Sequence, residues 1–300
     1  MRYFKLLKAF QTSTEENSIN LSPDGTKIVL SSSDNLIRVL DIKTEHEINV
    51  FKGHSKQVND AEFSPDGNMI VSCSVDKTIR VWDLNSKQGM KILIGHSDSV
   101  TRAQFSSDGN FIVSSSLDTT IRLWDVNNGK EIKCLEGHTK SAQGVQFSLN
   151  GQTVISASMN NTIEIWDIKS GVKTNVLKDN GATIIGVQLS WDSLFVLSYS
   201  KDKVIQVWDI ASGKKIKQLA EHKNRIINAK FLPGSQAIVS CSDGGKLRLW
   251  DIKTEQEYQE LIRHSNFAKG IGISADGCTI VSYYADKTIR LWKLITKICN

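Results

Sequence analysis

The chain has 300 residues, of which 40% are hydrophobic and 23% are charged, and its formal net charge is +5 at pH 7. A chain of this length and composition can bury a core without disulfides or metals, as ordinary soluble proteins do. No segment approaches the roughly 20 apolar residues of a membrane-spanning helix, and the lysines are scattered, so the sequence disfavours a membrane protein and a nucleic-acid-binding tract.

The five cysteines form no CxxC pair and are irregularly spaced, at Cys73, Cys134, Cys241, Cys278 and Cys299. Irregular spacing without pairs favours free thiols in a reducing compartment over a disulfide framework. The first residues, MRYFKLLKAF, are interrupted by Lys5 and Lys8, which argues against a secretory signal peptide. We therefore expect a cytoplasmic or nuclear protein that needs no cofactor or metal.

One segment recurs along the chain: SVDKTIRVWD at 74–83 returns as SLDTTIRLWD at 116–125 and as YADKTIRLWK at 284–293. Six tryptophans follow one another at intervals of 42 residues, with Leu40 in the equivalent place of the first repeat; they are Trp82, Trp124, Trp166, Trp208, Trp250 and Trp292. A fixed period of this size indicates a repeat architecture. The predicted repeats are 11–52, 53–94, 95–136, 137–178, 179–220, 221–262 and 263–300.

Taken in chain order, repeat 53–94 alternates short β-type runs with turns. The runs are VNDAEF, NMIVSCS, TIRVWD and MKILI, and the first two flank the turn Ser64-Pro65-Asp66-Gly67. Proline presets φ in such a turn, and glycine accepts the positive φ. The pattern predicts four antiparallel strands per repeat, because apolar residues alternate and turn residues recur every 8 to 12 positions.

Such units cannot bury both sheet faces alone, so they must stack, and closure into a ring removes the open edges. The seventh repeat ends after its third strand, whereas RYFKLLKAF precedes the first strand of repeat 1. We predict an all-β, seven-bladed β-propeller forming a single domain, with four-stranded antiparallel blades. Residues 2–10 would supply the last strand of the last blade and close the ring.

The Gly-His and Trp-Asp pairs that recur in units of 42 residues resemble those of the WD-repeat β-propeller family, and the resemblance covers essentially the whole chain, although several repeats depart from the pattern. In that family a His, a Ser or Thr, an Asp and a Trp form a buried hydrogen-bonded tetrad in each blade. The resemblance implies two intact tetrads here, and they are His54, Ser74, Asp76 and Trp82, and His96, Ser116, Asp118 and Trp124. Their donor and acceptor groups are complementary, which suits a dry site.

A Ser, a His and an Asp close together are also the residues of a hydrolase catalytic triad. The set recurs beside a Trp in several repeats, whereas a catalytic triad is normally unique, so we expect no catalytic residue. The in-phase histidines 54, 96, 138, 222 and 264 belong to different blades. They are too far apart to share one metal ion, whose bonds are about 2 Å long.

The innermost strands are predicted to point polar residues at the central channel. Alternation places Asp60 and Glu62 toward the axis, and the residues in phase with Glu62 are Asn20, Gln104, Gln146, Gln188, Lys230 and Gly272. We expect a water-filled channel, with a small-molecule site as the alternative.

Every repeat has the same length, so binding must use the faces of the ring. In WD-repeat proteins partners often dock on the face that carries the loops before strand one and between strands two and three; we call it the upper face, and the opposite one the lower face. Residues of unexpected apolar or cationic character there predict a partner-binding surface, and they are Leu117, Met159, Ile185, Arg225, Ile227, Phe267 and Lys269. On the lower face, Trp191 replaces a turn proline and could anchor a second partner or fold back over blade 5.

These observations predict a non-enzymatic scaffold, a monomeric propeller within a complex, that binds a protein or peptide on its upper face. The first alternative is a substrate receptor or a reader or adaptor subunit of a larger complex, such as a ubiquitin ligase or a chromatin complex. The second is an enzyme with a site at the channel mouth. Fold alone does not choose between them.

Overall fold

A computed structural model describes residues 3–179, 181, 183–219, 222–234, 236–263 and 267–295. Within them lie 28 β-strands in seven four-stranded sheets. Strands β1 to β13 are Tyr3–Gln11, Glu16–Leu21, Lys27–Ser32, Leu36–Asp41, Glu47–Lys52, Val58–Phe63, Met69–Ser74, Thr78–Asp83, Gln88–Ile94, Val100–Phe105, Phe111–Ser116, Ile121–Asp125 and Glu131–Leu135. Strands β14 to β28 are Ala142–Phe147, Thr153–Ser158, Thr162–Asp167, Lys173–Lys178, Ile184–Leu189, Phe195–Ser200, Ile205–Asp209, Lys215–Leu219, Ile226–Phe231, Ala237–Ser242, Lys246–Asp251, Gln256–Arg263, Ala268–Ile273, Thr279–Tyr284 and Thr288–Ile295. Among the described residues, no helix is long and apolar enough to cross a membrane.

Six of the sheets consist of four consecutive strands, from β2–β5 (blade 1) to β22–β25 (blade 6). The first strand of each blade contacts the first strand of the next, and β26 contacts β2. The structure is therefore the predicted seven-bladed β-propeller, closed into a ring.

Blade 7 combines both ends of the described chain, in the order β1-β28-β27-β26. Strand β1 is antiparallel to β28, and the register runs from Tyr3 opposite Ile295 to Gln11 opposite Thr288, with a bulge between Leu6 and Lys8. The predicted closing strand is confirmed, displaced by one residue from the expected 2–10. Residue 2 lies outside the described residues.

The core lies between neighbouring blades. One cluster joins Val29, Ile37 and Val39 of blade 1 to Ile70 and Trp82 of blade 2. The equivalent cluster joins Val113 and Leu123 of blade 3 to Trp166 of blade 4. Each sheet thus buries its apolar faces against the next sheet, which is why the units require a ring.

The turn between the first two strands has the geometry that its residues predict. In blade 2, Gly67 N donates to the Ser64 carbonyl at 2.9 Å and has φ of 73°. Ser64 Oγ also donates to Asp66 Oδ1. In blade 5 Ser193 occupies the glycine position with φ of 58°, a conformation that residues other than glycine adopt uncommonly.

Candidate interaction faces

On the rim of the upper face, a backbone hydrogen bond joins the residue just before the first strand of a blade to the turn between strands two and three of the same blade. Val75 N donates to the carbonyl of Gln57 at 3.0 Å, and Leu117 N donates to the carbonyl of Ser99 at 2.9 Å. The same backbone bond is formed in blades 4 to 7 by Met159, Lys201, Asp243 and Ala285.

A chain of buried hydrogen bonds fixes this rim in blade 2. His54 Nδ1 lies 2.8 Å from Asp76 Oδ2, and His54 Nε2 lies 2.8 Å from Ser72 Oγ. Trp82 Nε1 donates to the same hydroxyl at 2.8 Å. Blade 3 repeats the arrangement with His96, Asp118, Ser114 and Trp124.

The prediction of Ser74 and Ser116 as the tetrad serines was wrong. Ser72 and Ser74 point to the same side of β7, so strand alternation cannot distinguish them. Ile70 is paired with Trp82, and the indole reaches the next inward residue, Ser72. The hydroxyl of Ser74 instead donates to the carbonyls of Lys56 and Gln57, and Ser116 bonds its own loop in the same way. The second serine therefore ties the loop to the turn.

The aspartates hold the histidines from the surface side. Although burial alone would raise it, hydrogen bonds from Thr120 and the nearby His96 lower the pKa of Asp118 to about 2. Burial lowers the pKa of His96 below its usual value. The neutral imidazole can then donate to one neighbour and accept from the other.

Blades 4 and 6 carry incomplete versions of this network. Ser156 and Ser240 still join a histidine to a tryptophan. Asn160 and Gly244 replace the aspartate, and the buried His222 Nδ1 has no hydrogen-bond partner among the residues that the structure describes. Burial lowers the pKa of His138 to about 4 and that of His222 to about 3.

The Asp76–His54–Ser72 order has the spacing of a hydrolase triad, but its surroundings exclude that use. Ser72 is fully buried, and its oxygen already accepts the Trp82 indole proton. A nucleophile must be reachable by substrate, so the set is structural. Among the described residues, no cluster of metal-ligating side chains is present; His264 lies outside them.

The channel cavity is lined by most of the residues that alternation predicted, but Asp60 and Gly272 are not among its lining residues. Asn20, Glu62, Gln104, Gln146, Gln188 and Lys230 line one cavity of about 230 Å3. Arg102 lines the same cavity, and its Nε lies 3.3 Å from Asp60 Oδ2. Burial raises the pKa of Glu62 to about 7, and burial lowers that of Lys230 to about 8. Both groups therefore titrate near neutral pH.

The three channel glutamines also join the blades, which the sequence reasoning missed. The Oε1 atoms of Gln104 and Gln146 accept hydrogen bonds from the backbone N–H of Phe147 and Leu189, at 3.1 and 2.8 Å. Gln188 accepts from Phe231 in the same way. The recurrence of glutamine every 42 residues is the feature of the sequence that could have revealed these contacts between blades.

The predicted partner-binding residues differ in exposure. Phe267 is 61% exposed, and Arg225 is exposed. Leu117 and Met159 are half-buried on the same rim. Ile185 and Ile227 are half-buried because they pack against the clusters between blades 5, 6 and 7, and Lys269 Nζ lies 3.8 Å from Glu15 Oε2. Among the predicted partner-binding residues, the exposed apolar surface is thus concentrated at Phe267.

Trp191 lies at the lower mouth of the channel. It is 39% exposed and borders both the channel cavity and a second cavity of about 340 Å3 that opens on the lower face. Anchoring a partner and covering blade 5 both stay predictions for this residue.

The family model described as the IFT122 first beta-propeller matches residues 16–293. The chain belongs to this family. Propellers of this family are generally protein-interaction scaffolds and are typically non-enzymatic. The search of curated proteins returned no match.

Proposed function

We propose that this propeller binds a protein or peptide partner on its upper face, over the arc of blades 3 to 7. The observation that carries the proposal is Phe267, a large apolar side chain that is 61% exposed on a rim fixed by hydrogen bonds. Exposed Arg225 lies on the rim of the preceding blade. Aromatic and arginine side chains dominate the energetics of protein interfaces.

The partner belongs to a multi-subunit complex, and the protein acts there as a scaffold subunit. Membership of an IFT-complex-type family supports this setting. The four described cysteines are free thiols, two of them buried, which supports a reducing compartment, cytoplasmic or nuclear. A receptor or adaptor role in a ubiquitin ligase or chromatin complex is the alternative within the same class.

Affinity purification from cells with quantitative mass spectrometry tests the upper face. We expect Phe267→Ala and Arg225→Ala each to deplete the same small set of subunits about tenfold, the loss of a hot-spot side chain, with unchanged thermal stability. Leu7→Ala is the matched control, since Leu7 is equally exposed but lies on the outer strand β1. Unchanged capture by both variants would contradict the proposal.

The identity of the captured subunits separates the two settings. Recovery of transport-complex subunits with related propellers supports the scaffold role. Recovery of ubiquitin-ligase or chromatin subunits at constant stoichiometry would favour the alternative. The upper-face site survives either result, provided that the two variants reduce capture.

A further inference from the structure

The lower face carries a separate apolar hollow at the mouth of the channel. Its rim includes Leu149 of blade 4 and Trp191 of blade 5, and Phe105 and Phe147 line it more deeply. The cavity of about 340 Å3 is large enough for one large apolar side chain. Leu149 and Trp191 occupy the same turn position in successive blades, where blades 1, 2 and 6 have proline and blade 3 has Ser107.

The hollow is held in shape by bonds between blades. The backbone N–H of Leu149 donates to Ser193 Oγ of blade 5 at 3.2 Å, and its carbonyl accepts from Ser107 Oγ of blade 3 at 2.7 Å. Both backbone groups of this exposed turn are therefore satisfied by neighbouring blades, while its side chain is 60% exposed. Because the backbone of this turn is already held by hydrogen bonds, binding a partner through its side chain should cost little conformational entropy.

The turns at the outer rim of the hollow carry exposed acidic side chains, although the whole chain is basic and the adjoining channel cavity contains Arg102 and Lys230. Of the described residues that line it, Glu62 is the only ionisable one. Exposed Asp66, Asp108 and Asp192 lie in the turns next to its lining residues Pro65, Ser107 and Trp191. Hydrogen bonds from Ser64 and Ser106 lower the pKa values of Asp66 and Asp108, which keeps both turns negative. Lys91 is a base in the adjoining cavity, beside Asp66 and Asp108.

We propose that the lower face is a second docking site, and that it takes a basic peptide segment with one apolar anchor, a Leu, Phe or Trp flanked by Lys or Arg. The anchor enters the hollow between Leu149 and Trp191, and the flanking bases face the turn aspartates. Charge complementarity selects this occupant: a segment with acidic flanks would meet three carboxylates. The site is independent of the upper face.

Fluorescein-labelled peptides with matched composition test the proposal on the full chain. One set has a central Leu, Phe or Trp between Arg and Lys, a second replaces the bases with Glu, and a third replaces the anchor with Ser. We expect fluorescence anisotropy to show binding of the first set alone. Its affinity should fall about tenfold in Trp191→Ser and again in Leu149→Ser, the losses typical of apolar anchors. Both variants recreate the turn residue of blade 3, so the fold should persist.

Tryptophan quenching supplies a second readout. Trp191 is 39% exposed, whereas the other six tryptophans are at most 5% exposed, so acrylamide quenches Trp191 selectively. Bound peptide should protect it. Asp66→Asn with Asp108→Asn should weaken binding and reduce its salt dependence.

The proposal would be overturned by equal binding of the Glu-flanked set, by unchanged affinity in Trp191→Ser, or by absence of binding by the first set. Phe267→Ala should leave peptide binding unchanged. Loss of binding in that variant would place the peptide on the upper face, and would remove the lower site without affecting the proposed function.

Discussion

At the residue scale, one serine hydroxyl in each of blades 2, 3, 4 and 6 satisfies two buried groups. Ser72 lies between Trp82 Nε1 and His54 Nε2, at 2.8 Å from each. Ser72→Ala would leave both ring nitrogens buried without a partner, and an unsatisfied buried group costs about 1 to 3 kcal/mol. We expect the free energy of unfolding to fall by about 2 to 4 kcal/mol in chemical denaturation.

Ser55→Ala provides the control for that variant. Ser55 is exposed in the same blade, and its contact with Asp76 uses the backbone N–H, which alanine retains. Its stability should stay within about 0.5 kcal/mol of the wild type. Equal stability of the two variants would show that the shared hydroxyl is not a stabilising contact.

The tetrad shows what the sequence could and could not predict about the site. Residue types and blade positions of His54, Asp76 and Trp82 followed from the repeat and the family resemblance. The serine did not, since Ser72 and Ser74 have the same strand parity, and the choice depends on how far the indole reaches along the neighbouring strand. That distance is a property of packing and not of sequence spacing.

The histidines without an aspartate make stability depend on pH. In the folded state the pKa values of His138 and His222 are about 4 and about 3, below the value of roughly 6.5 in an unfolded chain. The unfolded state therefore binds more protons below pH 6.5. The stabilising contribution of each neutral histidine is therefore complete above pH 6.5 and declines as the pH falls toward 4. Between pH 7 and pH 5 the free energy of unfolding should decrease by about 2 kcal/mol per histidine.

Urea denaturation at pH 7 and pH 5 measures this loss. His222→Gln should shrink the difference between the two free energies by about 1 to 2 kcal/mol. His46→Gln, which changes an exposed histidine, should leave the difference as it is in the wild type. Constant stability of the wild type over this range would contradict the assignment of buried neutral imidazoles.

At the element scale, strand β1 joins blade 7 to blade 6, and Phe4 is its most buried contact. Phe4 is 3% exposed and packs in the cluster shared with Leu247 and Leu261 of blade 6. The side chain of Gln259 bonds both the N–H and the carbonyl of Phe4, at 3.0 and 2.7 Å. We expect Phe4→Ala to lower the free energy of unfolding by about 3 kcal/mol.

Leu7→Ala is the matched change in the same strand. Leu7 falls at the bulge of β1 and is 56% exposed, so its truncation should cost less than about 0.5 kcal/mol. Thermal and chemical denaturation of both variants provide the comparison. Similar losses in the two would mean that β1 is held by its backbone ladder alone.

The contrast between a buried and an exposed side chain on one strand also explains why the predicted exposure of two upper-face residues differs from the observed exposure. Ile185 and Ile227 occupy a position that alternation leaves outside the blade, yet both are half-buried against neighbouring blades. Strand alternation describes the two faces of one sheet. It does not describe how closely the next sheet in the ring approaches the end of the strand, and that approach decides the exposure of these two residues.

At the scale of the whole molecule, ring closure was the most predictable feature. A 42-residue period, four strands per unit and one strand missing from the last repeat together allow few other arrangements. The apolar hollow around Leu149 and Trp191 was not predictable in this way. It depends on two turns of different blades meeting, and the sequence reasoning singled out Trp191 alone, although Leu149 also replaces the turn proline.

Closure makes a cooperative prediction about the entire ring. Removal of residues 1–11 deletes β1, exposes the hydrogen-bonding edge of β28 and opens the cluster around Phe4. Because every core cluster is shared between blades, the loss should spread beyond blade 7. We expect one unfolding transition at a much lower temperature, together with aggregation through the exposed edge.

A synthetic peptide of residues 1–11 added to the truncated chain tests that prediction directly. A ligand that binds only the folded state raises the unfolding temperature with its concentration, so the peptide should restore stability in a saturable manner. The same peptide with Phe4→Ser keeps the backbone ladder but loses the apolar contact, and it should restore much less. If the truncated chain melts at the wild-type temperature, the other six blades are stable without closure. In that case the thermal stability of the protein does not depend on the closing strand.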